Sequence, residues 1–173
     1  KPKNPGTKTT FGLENVCWTP EQLIAHIISG KTFAVAQYKN GHRKSDNFIQ
    51  SNLIAVDVDG ETNPLDENEW QALLTNPFIV DYAFAVIQTA SSQPGAYKAR
   101  VLFRLNETIT DADEYKAIAR IVAGKIPGAD LHATDAARAF YGGQPGRPAD
   151  FTKTENILPL DLLTSEIAET LKK

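Results

Sequence analysis

Leu53-Ile54-Ala55-Val56-Asp57-Val58-Asp59-Gly60-Glu61 is the stretch on which the reading of this chain turns. The aliphatic run suits a buried strand. Residues two apart in a strand share a face, so Asp57 and Asp59 leave it together, about 7 Å apart at Cα. Two carboxylates so close repel each other unless a cation lies between them. Oxygen-only ligands suit hard cations such as Mg²⁺ or Mn²⁺, which serve phosphoryl and nucleotidyl transfer. The same residues also fit a strand that simply ends in an acidic turn, because Asp and Gly are common turn residues.

Upstream, Thr19-Pro20-Glu21-Gln22 combines an N-cap, a proline at the first helical position and Gln three residues after the cap. It opens a helix over 20–29 that Gly30 ends. Thr32 to Tyr38 is predicted as a strand, Asn40-Gly41 as a hairpin turn, and Leu53 to Asp59 as the strand carrying the acids. Pro64 to Asn76 is predicted helical, with Leu65, Trp70, Leu73 and Leu74 on its core face, and Asp81 to Ala90 suits a buried strand. From Lys98 to Leu105 the pattern alternates: Lys98, Arg100, Leu102 and Arg104 face one way, Ala99, Val101, Phe103 and Leu105 the other. Asp111 to Lys125 is an amphipathic helix closed by Pro127-Gly128, the stretch from Ala129 to Gly143 is irregular, and the chain ends in a helix. Hairpins mixed with separate helices argue an α+β fold with a central, mostly antiparallel sheet.

The 173 residues, 42% hydrophobic and 23% charged, fit one globular core. A net charge of −3 gives no global basic signature, so nucleic-acid binding would need a local basic surface. The lone cysteine, Cys17, excludes an internal disulfide and a multi-cysteine zinc site, and points to an intracellular, cytoplasmic setting. No apolar run approaches the roughly 20 residues that span a bilayer, so no membrane partner is expected. The absence of methionine suggests a piece of a longer polypeptide. The expected organisation is an N-terminal arm over 1–18, a main domain over 19–160, and a C-terminal helix over 161–173 leading toward a further domain.

Metal-dependent phosphate transfer needs carboxylates for the ions and a cationic wall for the phosphates. Both are available. Gly128-Ala129-Asp130-Leu131-His132 places a third acid after a tight turn, and Asp135-Ala136-Ala137-Arg138-Ala139-Phe140-Tyr141-Gly142 sets an arginine beside aromatics. Plainer readings stand beside these. Arg100 and Arg104 fit the solvated face of an edge strand, Arg43 and Lys44 the charge that follows a turn, and Asp135 a cap. Lone histidines such as His132 are more often surface or core residues, and Phe140 and Tyr141 suit either a core or a base-stacking role.

The order of these motifs resembles the archaeo-eukaryotic primase superfamily, which includes primase-polymerases of plasmids, phages and other mobile elements. Its first motif, an apolar strand ending Asp-x-Asp, is matched by Leu53 to Asp59. Its late acid is matched by Asp130, and the Arg-aromatic segment of many mobile-element members by Arg138-Ala139-Phe140-Tyr141-Gly142. Its small-x-His motif is replaced by Lys98-Ala99-Arg100, and Arg100 cannot act as a neutral imidazole would. The resemblance runs from about Lys31 to Gly143. It implies an RRM-like catalytic core that joins NTPs or dNTPs on a DNA template or primer, with two Mg²⁺ or Mn²⁺ ions held by Asp57, Asp59 and Asp130. Ser91, Ser92, Lys98, Arg100 and Arg138 would bind the nucleotide, Arg43, Lys44 and Tyr141 would meet nucleic acid, and a fused or associated helicase would suit such a protein.

Two other classes remain open in the sequence. Asp57-Val58-Asp59-Gly60 also looks like the nucleophile loop of a haloacid dehalogenase-type phosphatase, in which Asp57 would form a phosphoaspartate. That family needs a doubly wound sheet. The other is a non-catalytic nucleic-acid or nucleotide-binding module in which the acids are structural.

Overall fold

The structure is a computed structural model that describes residues 14–60 and 62–173. Residues 1–13 of the expected arm lie outside the described residues. Just beyond them the chain is tied down: the Asn15 amide donates to the Tyr38 carbonyl at 2.8 Å and its oxygen accepts the Tyr38 N–H at 2.8 Å.

Helix α1 (Pro20–Ile28) begins as its sequence dictates. The Thr19 side chain accepts from Gln22 N and the Gln22 side chain accepts from Thr19 N, which satisfies two end donors at once. The expected strand over 32–38 is split into β1 (Phe33–Ala34) and β2 (Gln37–Tyr38), which belong to different sheets. Asn40 and Gly41 both take positive φ, as an Asn-Gly turn favours, but the connection runs on through a second short 3₁₀ turn at Ser45–Asn47. Strand β3 (Phe48–Val58) is 11 residues long and starts earlier than its apolar run suggests. Then come α2 (Glu67–Leu74), α3 (Pro77–Tyr82), β4 (Ala83–Gln88), β5 (Ala99–Ile109), α4 (Ala112–Gly124), β6 (Ala139–Phe140), β7 (Phe151–Thr152) and α5 (Thr164–Leu171). Helix α3 was not anticipated: Asn76-Pro77 starts it, with the Asn76 side chain accepting from Phe78 N and Ile79 N.

The main sheet has the order β2-β3-β5-β4-β7 and every pairing in it is antiparallel. This is the α+β architecture expected, and it overturns the phosphatase reading, whose doubly wound sheet is parallel. It also overturns the edge-strand reading of Arg100 and Arg104. Strand β5 pairs with β3 on one side and β4 on the other, so it lies at the centre of the sheet.

One face, carrying Ile54, Val56, Val101 and Phe103, is wholly buried under the helices. Phe78 of α3 packs on Phe103 at 5.4 Å, and Tyr115 of α4 packs on Phe48 at 5.6 Å while its hydroxyl donates to the Leu53 carbonyl. Each such side chain contributes about 1.5–3 kcal/mol of transfer free energy. The opposite face is covered by α1 and a small antiparallel ribbon, β1 with β6. Gly142, just after β6, has no room for a side chain, because a Cβ there would stand 2.3 Å from the Gly30 carbonyl carbon and 2.4 Å from Lys31 N. The C-terminal helix α5 is joined to α4's end by Lys125 Nζ on Glu166 at 2.9 Å. Among the described residues no helix is long and apolar enough to cross a membrane.

Candidate active site

The acidic face is built by backbone register. At the end of β3, Val58 bridges Ala129 in antiparallel fashion, the Asp130 N–H donates to the Asp57 carbonyl at 2.8 Å, and the Gly60 N–H to the Gly128 carbonyl at 3.1 Å. Opposed residues of an antiparallel pair point the same way, so Asp130 shares the face of Asp57. On β3's other side Asp57 pairs with Arg100 and Val58 with Ala99, which sets Lys98 across from Asp59. Ile87 pairs with Arg100, and the Thr89 N–H donates to the Lys98 carbonyl at 3.0 Å. Two rows result at one end of the sheet: Asp130, Asp57 and Arg100, then Asp59, Lys98 and Thr89. Gly60 turns the chain away with φ +82°, and a Cβ there would lie 1.7 Å from the Asn63 carbonyl oxygen. Glycine is required at that bend.

Electrostatics follow from that arrangement. The Asp59 carboxyl is pushed above the usual carboxylate range, first by desolvation, then by the charges of Asp130 and Asp57, with Lys98 pulling the other way. Asp59 therefore feels both of the other acids across the face. Asp57 is already partnered: Arg100 Nε donates to its Oδ1 at 2.7 Å, and the Arg100 side chain is only 8% exposed. The same guanidinium donates through Nη1 to the Tyr141 carbonyl and lies over the Phe140 ring at 4.4 Å. Asp130 Oδ1 accepts the His132 N–H at 2.8 Å, which orients that carboxylate. Among the described residues no three His, Cys, Asp or Glu side chains are drawn into one ligand-spaced cluster.

The donors that these three acids offer are all carboxylate oxygens, the ligand type that hard divalent cations take.

The other expected residues are dispersed around these acids. Lys98 and Arg100 lie on the acidic face. Arg43, Arg138 and Tyr141 line a neighbouring cavity of about 320 Å³ together with Asp135. There Arg138 Nη2 pairs with Asp135 at 2.9 Å and donates to the His132 carbonyl, and Arg43 donates to the Ala137 carbonyl. Asp135 also caps Ala137 N at 3.1 Å, the role its plain reading gives it. Tyr141 is 61% exposed and is free of the core. Lys44 forms only an exposed pair with Asp46 at 3.7 Å.

Ser91 and Ser92 separate. Ser91 is exposed, whereas Ser92 is buried, donates to Gln88 Oε1 at 2.8 Å and accepts the Lys98 N–H at 3.0 Å. In the ligand-free fold the Ser92 hydroxyl is thus used to close the β4–β5 turn. Arg104, on the same β5 face as Arg100, points to the Thr154 carbonyl at 3.4 Å, away from the acids. Thr89 went unnoticed in the sequence, although its Oγ1 is buried beside Lys98 without a hydrogen-bond partner. Pairing the apolar run before Ser91 with the strand after Tyr97 as a hairpin would have found it.

Comparison with known proteins agrees with the architecture. No curated protein matches the chain. The archaeo-eukaryotic primase domain of the cyanophage S-2L primase-polymerase, a solved structure, superposes with a TM-score of 0.51 at 14% identity, over 87% of this chain and 77% of that one. That likeness establishes a shared fold. The family described as VapE N-terminal domain matches residues 26–150, most of the chain, and the chain belongs to that family.

Proposed function

We propose that the domain is a metal-dependent nucleotidyltransferase, a DNA primase or polymerase of a mobile-element replication protein. The observation that carries the reading is the gathering of Asp57, Asp59 and Asp130 with Lys98 and Arg100 on one face at one end of the sheet. Its partners would be a DNA template or primer and an NTP or dNTP, inside the cell, with a fused or associated helicase. Asp57, Asp59 and Asp130 would hold divalent cations, Mg²⁺ or Mn²⁺. When bound, such cations activate an attacking hydroxyl and offset charge on a leaving pyrophosphate.

The chain's own groups do the rest. Lys98 neutralises phosphate charge next to Asp59 as a mobile ammonium. Ser91, exposed in the turn before it, offers a hydroxyl to the same phosphates. Arg138 and Tyr141, at the mouth of the adjacent cavity, meet the nucleic-acid strand or base by charge and stacking. Arg100 orients Asp57 rather than reaching outward, since its Nε and Nη1 and its flat face are all engaged.

One feature favours a second reading, a nucleotide-binding domain without turnover: the ion pair between Asp57 and Arg100 satisfies an acid that catalysis would need for a cation. Primer extension and dinucleotide synthesis with Mg²⁺ or Mn²⁺ separate the two. Products from the wild-type chain that vanish in Asp57→Ala and Asp59→Ala support transfer. Nucleotide binding with no product supports the second reading, and metal-dependent phosphate release from simple esters sinks both.

A further inference from the structure

We propose that Arg147 is a positioning residue for Lys98: it locks the β4–β5 connection and so fixes the backbone from which Lys98 meets the phosphates of a nucleotide. This rests on the role given to Lys98 above. Lys98 stands just before β5, and its backbone is held from both sides. Its N–H donates to Ser92 Oγ at 3.0 Å and its carbonyl accepts the Thr89 N–H at 3.0 Å, while the Ser92 N–H closes onto the Thr89 carbonyl at 3.1 Å. The Ser92 hydroxyl presents a lone pair to Lys98 because its own proton is committed to Gln88 Oε1 at 2.8 Å. The Gln88 amide is oriented in turn: Nε2 donates to Asp150 Oδ1 at 3.0 Å, which leaves Oε1 for Ser92.

Arg147 closes this chain of bonds from outside the hairpin. Nη1 donates to Gln88 Oε1 at 3.2 Å and to the Ser92 carbonyl at 3.4 Å, and Nη2 to the same carbonyl at 3.5 Å and to Gln144 Oε1. One planar fork thus ties the last residue of β4 to the turn that follows, a set of bonds that the point charge of an ammonium does not reproduce. The fork has a firm base. The Gly143 N–H donates to the Ile27 carbonyl at 2.9 Å, the Gly146 N–H to the Ile28 carbonyl at 3.1 Å and the Asp150 N–H to the Val86 carbonyl at 2.9 Å. The segment carrying Arg147 is therefore pinned to the end of α1 and to β4. Ser91 and residues 93–95 are exposed, so the β4–β5 connection has little burial to hold it and depends on these bonds.

The test is isothermal titration of the intact chain with dATP and Mg²⁺, in a double-mutant cycle of Lys98 and Arg147. Lys98→Ala should weaken binding about tenfold and Arg147→Met about fivefold. The double variant should bind within about twofold of Lys98→Ala alone, because a residue that acts through Lys98 then has nothing left to position. A merely structural role would not cancel in this way. Arg147→Lys keeps the charge but loses the fork, and is expected to bind as weakly as Arg147→Met. It also replaces the Met variant in the cycle if that one loses the wild-type circular dichroism spectrum. Losses that multiply in the double variant would overturn the inference, as would wild-type affinity in Arg147→Met or Arg147→Lys. A wild-type chain that takes up no dATP, or a Lys98→Ala variant that binds it as well as wild type, would instead overturn the reading beneath it.

Discussion

Arg100 and Asp57 face each other across paired positions of β5 and β3, with Nε on Oδ1 at 2.7 Å and the arginine side chain 8% exposed. Breaking such a pair from the arginine side is costly, because Asp57, 26% exposed, is left with its charge uncompensated and only partly solvated. Arg100→Ala also removes the contacts with Phe140 and the Tyr141 carbonyl that seat the β1–β6 ribbon. The expected loss is about 3 kcal/mol of folding stability. Urea denaturation measures it, and a variant as stable as wild type would show that the ribbon does not depend on Arg100.

Asp59 should make the metal-free domain less stable at neutral pH than in acid. Its carboxyl is pushed above the ordinary value of 3.8 by desolvation and by Asp130 and Asp57. The unfolded chain releases that proton first, so across the window above 3.8 the folded state binds more protons and stability falls as pH rises. The contribution is complete below the window and gone above it. With chelator present, Asp59→Asn is expected to raise Tm at pH 7 by about 1 °C, a small gain because the exposed group is screened. At pH 3 the two proteins should melt together. A variant that melts lower at pH 7 would contradict the repulsion.

The elements that could be read from sequence were those whose signals are local. The Thr19–Gln22 capping box and the periodicity of α4 each lie within a few residues and are present in the structure, and the strand that carries Asp57 is present too, ending at Val58, one residue before Asp59. What escaped depends on partners distant in the chain. The centrality of β5 follows from its pairing with both β3 and β4, which strict alternation from Lys98 to Leu105 cannot distinguish from an edge. The split of the 32–38 segment follows from β6, about a hundred residues on, capturing Phe33 and Ala34. Asp130 was named by resemblance, and its position opposite Asp57 is a matter of one bridge, Val58 to Ala129. The engagement of Arg100 was invisible because nothing near it in sequence announces Phe140 or the Tyr141 carbonyl.

Ser91 and Ser92 are adjacent in sequence and should behave oppositely on mutation. Ser92 is 2% exposed, and its hydroxyl joins Gln88 to the Lys98 backbone. Ser92→Ala leaves both partners short of a bond and is expected to cost about 1–2 kcal/mol. Ser91 is exposed, so Ser91→Ala should leave stability unchanged and, where Ser91 meets phosphate, weaken nucleotide binding alone. Thermal melts paired with nucleotide titration distinguish the two, and the reverse pattern would return the phosphate contact to Ser92.

Thr89 Oγ1 is a buried hydroxyl without a hydrogen-bond partner, on the row that holds Asp59 and Lys98. An orphaned polar atom is a standing cost in the ligand-free fold, and replacing it by a methyl of the same shape removes that cost. Thr89→Val should therefore stabilise the free domain by about 1 kcal/mol. If the hydroxyl instead turns to a nucleotide phosphate beside Lys98, the same substitution should weaken nucleotide binding by about fivefold, the worth of roughly one hydrogen bond. The pairing of a higher Tm with a poorer nucleotide affinity is the expected signature. A higher Tm with unchanged affinity would assign the hydroxyl to the fold alone, and a lower Tm would mean that Thr89 is satisfied in solution.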